Sequence, residues 1–275
     1  MANAPKPSTA KKEKSGGSSI FAGLAIVICI VIAWGLYLFV MGNPANFEGG
    51  DPANHPLPGN YFGMVYKGGV VVPFLMGMFL MVIVFSIERF FVISKAAGNG
   101  NVDAFVKKVQ QFLASNNVES AISECDKQKG SVAAVIKSGL LKYKEVEMDS
   151  SMDTEQKCLA IQKDIEEATS LEMPMLEQNL TVIATLVSIG TLAGLLGTVV
   201  GMIKAFGALA TSGAPDQAAL ANGISEALIN TATGIGTSTL AIISYNFFTS
   251  KIDSLTYSID EAGFSIVQTY AATHK

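Results

Sequence analysis

Four long stretches of the chain consist of apolar and small residues, and polar segments separate them. Residues 20–42, 68–87 and 180–203 carry no charged side chain, and residues 218–250 carry only Glu226. Roughly 20 apolar helical residues cross a bilayer core about 30 Å thick, so each stretch is long enough to span it. The pattern predicts an all-α integral membrane protein with four transmembrane helices.

The polar segment between the second and third stretches has a helical period. From residue 102 to residue 113, apolar positions recur every three or four residues, which is typical of an amphipathic helix. Residues 118–125 and 132–143 predict two further short helices. The mixed segment 153–176 predicts a helix that runs directly into the third span, with a kink at Pro174. Long helices would then extend beyond the membrane.

Composition agrees with a four-span membrane protein, and the placement of charge predicts its orientation in the bilayer. Charged residues make up 15% of the 275 residues, against about 25% in soluble domains. Lysine and arginine occur before the first span, between the second and third, and after the fourth, whereas residues 43–66 and 207–217 contain neither. Because basic residues favour the cytoplasmic side, both termini and the middle segment are predicted to be cytoplasmic, in a bacterial inner membrane.

The segment boundaries follow from these patterns. We expect the first span to be a retained anchor rather than a cleaved signal peptide, and the Pro-, Gly- and Asn-rich first loop to be irregular. In order, the segments are a basic cytoplasmic tail (1–19), a first transmembrane helix (20–42), a periplasmic loop (43–66), a transmembrane helix (67–94), a helical cytoplasmic segment (95–179), a transmembrane helix (180–209), a periplasmic loop (210–217), a transmembrane helix (218–250) and a cytoplasmic tail (251–275).

A stripe of polar side chains follows the fourth span. At about 100° per residue, its members fall within about 40° of one direction; they are Glu226, Asn230, Thr233, Thr237 and Ser244. A polar stripe that faced lipid would be costly, so this one is predicted to face protein or water. A carboxyl in the stripe is costly when it is ionised and unpaired. It can therefore change its protonation state, which suits proton passage. Alternatively, it stays protonated and only bonds between helices.

The hairpin formed by the third and fourth spans sets the depth of these residues. Thr198 lies 16 residues before Ala214, and Thr231 lies 17 residues after it, so antiparallel helices place the two threonines at similar depth. Glu226 is then about one turn nearer the outer surface, and the three polar residues can form one locus. We expect the Lys204 side chain to extend along the helix until its ammonium group reaches that surface. Alternatively, it pairs with an acidic group in the outer loop or on a partner.

Several segments together point to a known family. They are LLGTVVGMIKAF at 195–206, GISEALINTATGIG at 223–236, YNFF at 245–248 and ERFF at 88–91. Across roughly residues 68–250, the chain resembles the MotA/TolQ/ExbB proton-channel family, most closely its ExbB branch. The resemblance implies a homopentamer around a pore that holds a dimer of a single-span, ExbD-like partner with an essential aspartate. A TonB-like protein would receive the force derived from proton flow.

The resemblance also implies roles for individual residues. Glu226 matches the family's pore-region glutamate, Thr198 the threonine of the LGTV segment, and Thr231 the threonine that follows EAL. With the stripe, the predicted proton pathway comprises Glu226, Thr198, Thr231, Asn230, Thr233 and Thr237. The chain departs from the family at Leu240, which stands in place of a proline, and in the extra span 20–42. We expect this span at the periphery, facing lipid, around a three-helix ExbB-like core.

The sequence favours a stator subunit of a proton-driven motor that energises a TonB-like protein for outer-membrane import. A TolQ-like or motility-stator subunit of the same family is an alternative, and a non-conducting membrane scaffold is an alternative from another class. No nucleophile–base pair, metal-ligand cluster or nucleotide loop is visible in the sequence. We therefore expect a protein of the lipid bilayer that is not an enzyme, with no catalytic residues, no metal, no cofactor and no nucleic-acid partner.

Overall fold

The structure is a computed structural model that describes residues 16–211 and 217–274. Most of the predicted basic tail, 1–19, and the centre of the predicted loop 210–217 lie outside the described residues. The helices are α1 (Gly16–Gly35), α2 (Tyr61–Tyr66), α3 (Val72–Ala97), α4 (Val102–Ala114), α5 (Val118–Gln128), α6 (Gly130–Glu147), α7 (Thr154–Glu177), α8 (Leu180–Thr211) and α9 (Gln217–Thr273).

Four helices in the described part of the chain are long and apolar enough to cross a membrane. They are α1 with its π-helical continuation Leu36–Met41, α3, α8 and the first part of α9. The predicted all-α membrane fold with four spans is thereby confirmed. We call the end of the bundle that carries residues 43–71 the loop end, and the end that carries α4–α7 the domain end.

Helices α8 and α9 form a tightly packed antiparallel pair, and α3 packs against both. Glycines of the two helices meet directly, since a Cβ on Gly234 would lie 2.6 Å from the carbonyl oxygen of Gly190 and 2.7 Å from the Cα of Gly194. Small residues let membrane helices approach until their backbones touch, which increases van der Waals contact. The glycines of the third span therefore have a packing role at this position.

The domain end is a helical unit built from α4–α7 and the last part of α9. The three short helices predicted in this segment are confirmed as α4, α5 and α6. Asn101 and Asn117 begin α4 and α5, since their side-chain oxygens accept bonds from the backbone N–H groups of Ala104 (3.1 Å) and Ser120 (3.0 Å). The apolar faces meet in one core that also includes Ile259 of α9.

The predicted continuous helix from residue 153 into the third span is wrong. Helix α7 tolerates Pro174 and ends at Glu177, and the chain then turns through Gln178 (ψ 145°) and Asn179 (φ 60°) before α8 begins. Asparagine adopts this left-handed conformation more readily than most residues, which permits a sharp break without glycine. The break therefore lies at Asn179, and not at the proline.

A buried arginine holds this break in place. Arg89 of α3 is 2% exposed, and its guanidinium donates to the carbonyl oxygens of Met175 (3.2 Å) and Leu176 (3.0 Å) at the end of α7. The same guanidinium pairs with Glu88, with 2.6 Å from Nε to the carboxylate. A cation at a helix C-terminus is favourable, because it satisfies carbonyls that have no partner within the helix.

The first loop is more ordered than the sequence suggested. It contains two 3-10 turns, Pro44–Asn46 and Glu48–Gly50, the short helix α2, and a bridge between Phe47 and Pro56. The expectation of a wholly irregular connection is therefore wrong. Proline and glycine interrupt long periodic patterns, but they also favour compact turns of this kind.

The extra helix α1 packs lengthwise on α3. Its buried side is made of small residues, Ala25, Cys29 and Ala33, whereas Val27 and Val31 on the opposite side are 60% and 64% exposed. This one-sided burial fits the predicted place at the periphery, and contact of the exposed face with lipid remains a prediction. Small side chains on the buried face allow α1 to lie close to its neighbour.

Candidate functional site

An enclosed charged group lies at the loop end of the bundle, where α8, α9 and residues 68–71 meet. Glu226 of α9 is 8% exposed. The backbone of Gly69 lies directly over its carboxylate, since a Cβ at this glycine would overlap Oε1 and lie 2.8 Å from Cδ. The carboxyl is therefore inside the protomer rather than on its surface.

Glu226 has a cationic partner within the same chain. The Nζ of Lys204 lies 2.6 Å from Glu226 Oε1, across the gap between α8 and α9. Sequence reasoning expected Lys204 to reach the outer surface, or to pair with an acid of the outer loop or of a partner, and did not consider Glu226, which is its partner within the described residues. The ammonium group bonds to the enclosed carboxylate because an ion pair costs far less inside a membrane bundle than either separate charge.

Asn230 lies one turn deeper on α9 and is fully buried. Its amide nitrogen donates to the carbonyl oxygen of Gly68 at 3.0 Å, while its Oδ1 has no hydrogen-bond partner among the described residues. The side chain fits against Gly197 of α8, where a Cβ would overlap it. Asn230 therefore ties α9 to the turn that covers Glu226, and it leaves one buried acceptor free.

The threonines of the predicted pathway form local bonds instead of a chain. Thr237, which is fully buried, donates to the carbonyl of Thr233, and Thr233 donates to that of Ile229, both at 2.9 Å. The hydroxyl of Thr231 is buried without a partner among the described residues. Hydroxyls that bond their own helix are satisfied without a neighbour, so only Thr231 offers an uncommitted hydroxyl.

Thr198 lies apart from the enclosed carboxyl. Its hydroxyl donates to the carbonyl of Leu195 at 2.5 Å, and the residue borders a shallow apolar hollow on α8 with Val199, Met202 and Ile203. The hairpin register is nevertheless close to the one predicted, because Gly201 packs against Ala227 and Gly197 against Asn230. Depth could be predicted by counting residues, but the direction of the side chain could not.

The predicted stripe is inside the protein at its main positions, as Glu226, Asn230 and Thr237 are all buried. Helix α9 continues without interruption through Leu240, so the residue that replaces the family proline lies within regular helix. Next to Thr237, a further hydrogen bond joins α8 and α9, from Thr191 Oγ1 to Ser238 Oγ at 2.8 Å. The role of the stripe in proton passage remains a prediction.

Sequence reasoning missed the residues that cover the site from the loop end. The ring of Tyr37 stacks on that of Tyr66, with centroids 4.8 Å apart, and its hydroxyl donates to the Tyr66 carbonyl at 2.9 Å. Tyr66 leads directly into the Gly68–Gly69 turn over Glu226. The extra helix is therefore linked to the site through Tyr37. The adjacent glycines before the second span were a turn signal, but no sequence pattern shows which side chain a turn covers.

The fit of Gly69 over the carboxyl gives a testable prediction. In Gly69→Ala, the Cβ collides with Glu226 and the backbone has a positive φ of 78°, a conformation that costs an alanine about 1–2 kcal/mol. We expect a lower melting temperature and a clear loss of proton flux in reconstituted vesicles.

Gly59→Ala is the matched control for this variant. Gly59 has the same φ of 78°, but nothing lies within 4 Å of the position of its Cβ. It therefore reports the backbone cost alone, and we expect it to keep its proton flux. Equal losses of flux in the two variants would show that contact with Glu226 is unimportant.

The family model of the MotA/TolQ/ExbB proton channel family matches residues 127–261. The chain is similar to the Tol-Pal system protein TolQ of Pseudomonas aeruginosa, with 30% identity over 155 residues, which cover 56% of this chain and 67% of TolQ.

Two further relatives carry the ExbB name. A putative biopolymer transport protein ExbB homolog of Methanothermobacter thermautotrophicus is 24% identical over 200 residues, which cover 70% of this chain and 66% of the relative. The biopolymer transport protein ExbB of Xanthomonas campestris pv. campestris is 33% identical over 94 residues, 34% of this chain and 37% of the relative. The chain thus spans less than two thirds of the length of these two relatives.

Proposed function

The chain belongs to the MotA/TolQ/ExbB proton channel family, and on this basis we propose that it is the channel and stator subunit of a motor driven by the proton motive force. Glu226 is the group that takes up and releases the proton. The observation that carries this proposal is the enclosed Glu226 between α8, α9 and the Gly68–Gly69 turn. Ionisable residues at this depth in a membrane are costly and are usually functional.

The charge distribution supports the assignment. Between residues 180 and 250, the charged residues are Lys204, Asp216 and Glu226. Of these, Glu226 lies on the polar stripe with Asn230. Among the described residues, Asn230 Oδ1 and the neighbouring hydroxyl of Thr231 have no partner, so Oδ1 can accept a further bond and the hydroxyl can donate or accept one. These two groups, with Thr198, Thr233 and Thr237, complete the proposed pathway.

The assembly and its surroundings are part of the same proposal. We infer a homopentamer in the bacterial inner membrane, with both termini and α4–α7 in the cytoplasm, around a dimer of an ExbD-like single-span protein. Exposed apolar side chains on α8 support further contacts beyond the protomer, since Val199, Ile203 and Phe206 are 55%, 65% and 59% exposed. The energised protein would be TonB-like, and its task would be outer-membrane import.

A TolQ-like role is the second candidate, and one observation favours it. Among the relatives reported above, the Tol-Pal system protein TolQ is matched over the largest share of its own length, 67%. The two roles share the proton step and differ in the partner that receives the force. Expression in strains that lack either the ExbB or the TolQ function would separate them, since restored TonB-dependent import favours the first role and restored outer-membrane constriction the second.

Proton flux tests the proposal directly. The chain would be reconstituted in lipid vesicles with its single-span partner, and an imposed pH gradient would be followed with an internal pH dye. We expect the gradient to decay faster than in vesicles with the partner alone, and we expect the purified chain to have the native mass of five copies. A gradient that decays at the rate of the partner-only vesicles would instead favour a non-conducting scaffold.

A further inference from the structure

The ion pair between Lys204 and Glu226 points to a role for a residue outside the predicted pathway. We propose that Lys204 is the internal counter-ion of Glu226, and that this pair has to open before Glu226 can bind a proton. Lys204 is then a positioning residue for the proton step. The inference rests on the proposed proton role of Glu226.

The two partners differ in their freedom to move. The Glu226 side chain is 10% exposed and lies under the Gly69 backbone, whereas the Lys204 side chain is 51% exposed. A lysine carries its compact charge on a flexible four-carbon stem. The ammonium group can therefore leave the ion pair without a change in the helix that carries Lys204. Glu226 has no comparable space, and opening of the pair therefore means movement of Lys204.

Among the residues that the structure describes, Glu226 is the acid that pairs with Lys204. Its neighbours Ile203 and Phe206 are apolar and exposed on the same part of α8. Among the described side chains near Glu226, the other titratable groups are Tyr37, which is close enough for a coulombic interaction, and Tyr66, stacked on Tyr37. Lys67 is directed away, since its ammonium group donates to the Ala53 carbonyl at 2.9 Å. Helix α3 adds no charge before Glu88.

A carboxylate that bonds to an ammonium group keeps its negative charge, while a proton bound to the carboxyl removes the reason for the pair. Proton uptake and the Lys204–Glu226 bond therefore exclude each other at the same oxygen. The chain can hold Glu226 charged in the resting state without a permanent isolated charge in the bundle. When Lys204 moves out, Oε1 of the enclosed carboxyl loses its cationic partner and is open to a proton.

Labelling with a hydrophobic carbodiimide tests this proposal, because the reagent reacts with protonated carboxyls inside membranes. The labelling rate of Glu226 would be measured by mass spectrometry on the full-length protein in vesicles, over a series of pH values. In Lys204→Met, the unbranched shape and most of the side-chain length are kept, and the charge is lost. We expect labelling to be about fivefold faster at a given pH, the factor that corresponds to the upper end of the range for solvent-exposed ion pairs.

Lys204→Arg is the rescue variant, and it is expected to label at the wild-type rate because it restores the cation. Glu226→Gln marks the background. The proposal is overturned if Lys204→Met labels at the wild-type rate, or if Lys204→Arg labels as fast as Lys204→Met. The outcome is independent of proton flux. If Glu226→Gln conducted protons, the proposed function would fail while the labelling rates still decided whether the pair exists.

Discussion

Glu226→Gln is expected to reduce proton flux to the level of vesicles without the chain, while the protein remains folded and assembled. Glutamine has nearly the same shape and still accepts a hydrogen bond from Lys204, but it cannot take up or release a proton at neutral pH. The substitution therefore removes the chemistry of the site and keeps its packing against Gly69. Flux in reconstituted vesicles and energised transport in cells are the two measurements.

Two further variants make this result specific. Glu226→Asp retains a carboxyl that is one methylene shorter, and it is expected to retain part of the flux. Ser265→Ala changes a half-buried polar residue of the same helix at the domain end, far from Glu226 along the helix, and it should leave flux unchanged. Flux in Glu226→Gln comparable to the wild type would rule out the carboxyl as the proton carrier and would favour the scaffold. The native mass must stay unchanged for either conclusion.

Arg89→Met is expected to destabilise the protein by about 3 kcal/mol, the lower end of the range for breaking a buried pair by removal of one partner. The variant leaves the Glu88 carboxylate unpaired and removes the donors to the carbonyls of Met175 and Leu176. Methionine fills much of the volume, so the loss reflects charge and hydrogen bonds. Thermal unfolding of the solubilised protein, followed by circular dichroism, measures the effect.

Lys95→Met is the matched control, since Lys95 lies on the same helix and is exposed. We expect its melting temperature to stay close to that of the wild type. The double variant Glu88→Gln/Arg89→Met should recover part of the loss, because it removes the unpaired carboxylate. If Arg89→Met melted like Lys95→Met, the bonds to the end of α7 would contribute nothing measurable.

Much of the fold could be predicted from the sequence because it depends on local periodicity. Membrane helices have to satisfy their own backbone, so long apolar runs report spans directly. The three short helices were equally visible from their apolar spacing. The break after α7 could not be predicted, because Pro174 is the stronger helix-breaking signal in the sequence. The chain instead turns at Asn179, which adopts a left-handed conformation.

The candidate site was predictable in part for a related reason. A helical wheel placed Glu226 and Asn230 on one face, and counting through the hairpin placed Thr198 and Thr231 at similar depth. What closes the site is non-local, since Gly68, Gly69 and Lys204 reach Glu226 from two other segments of the chain. Periodicity gives the direction of a Cβ on its own helix, but not which flexible side chain or turn comes to meet it.

The uninterrupted length of α9 has a mechanical meaning. Its 57 residues form a rod about 85 Å long, and roughly 70 Å of it lies between Glu226 and its last turn. A tilt of only about 5° at the level of Glu226 would displace the far end by about 6 Å. By contrast, the chain turns sharply at Asn179, between α7 and α8. Because α9 is one uninterrupted helix and the α7–α8 segment is divided at Asn179, a small tilt of α9 at the buried carboxyl would become a large displacement at its far end.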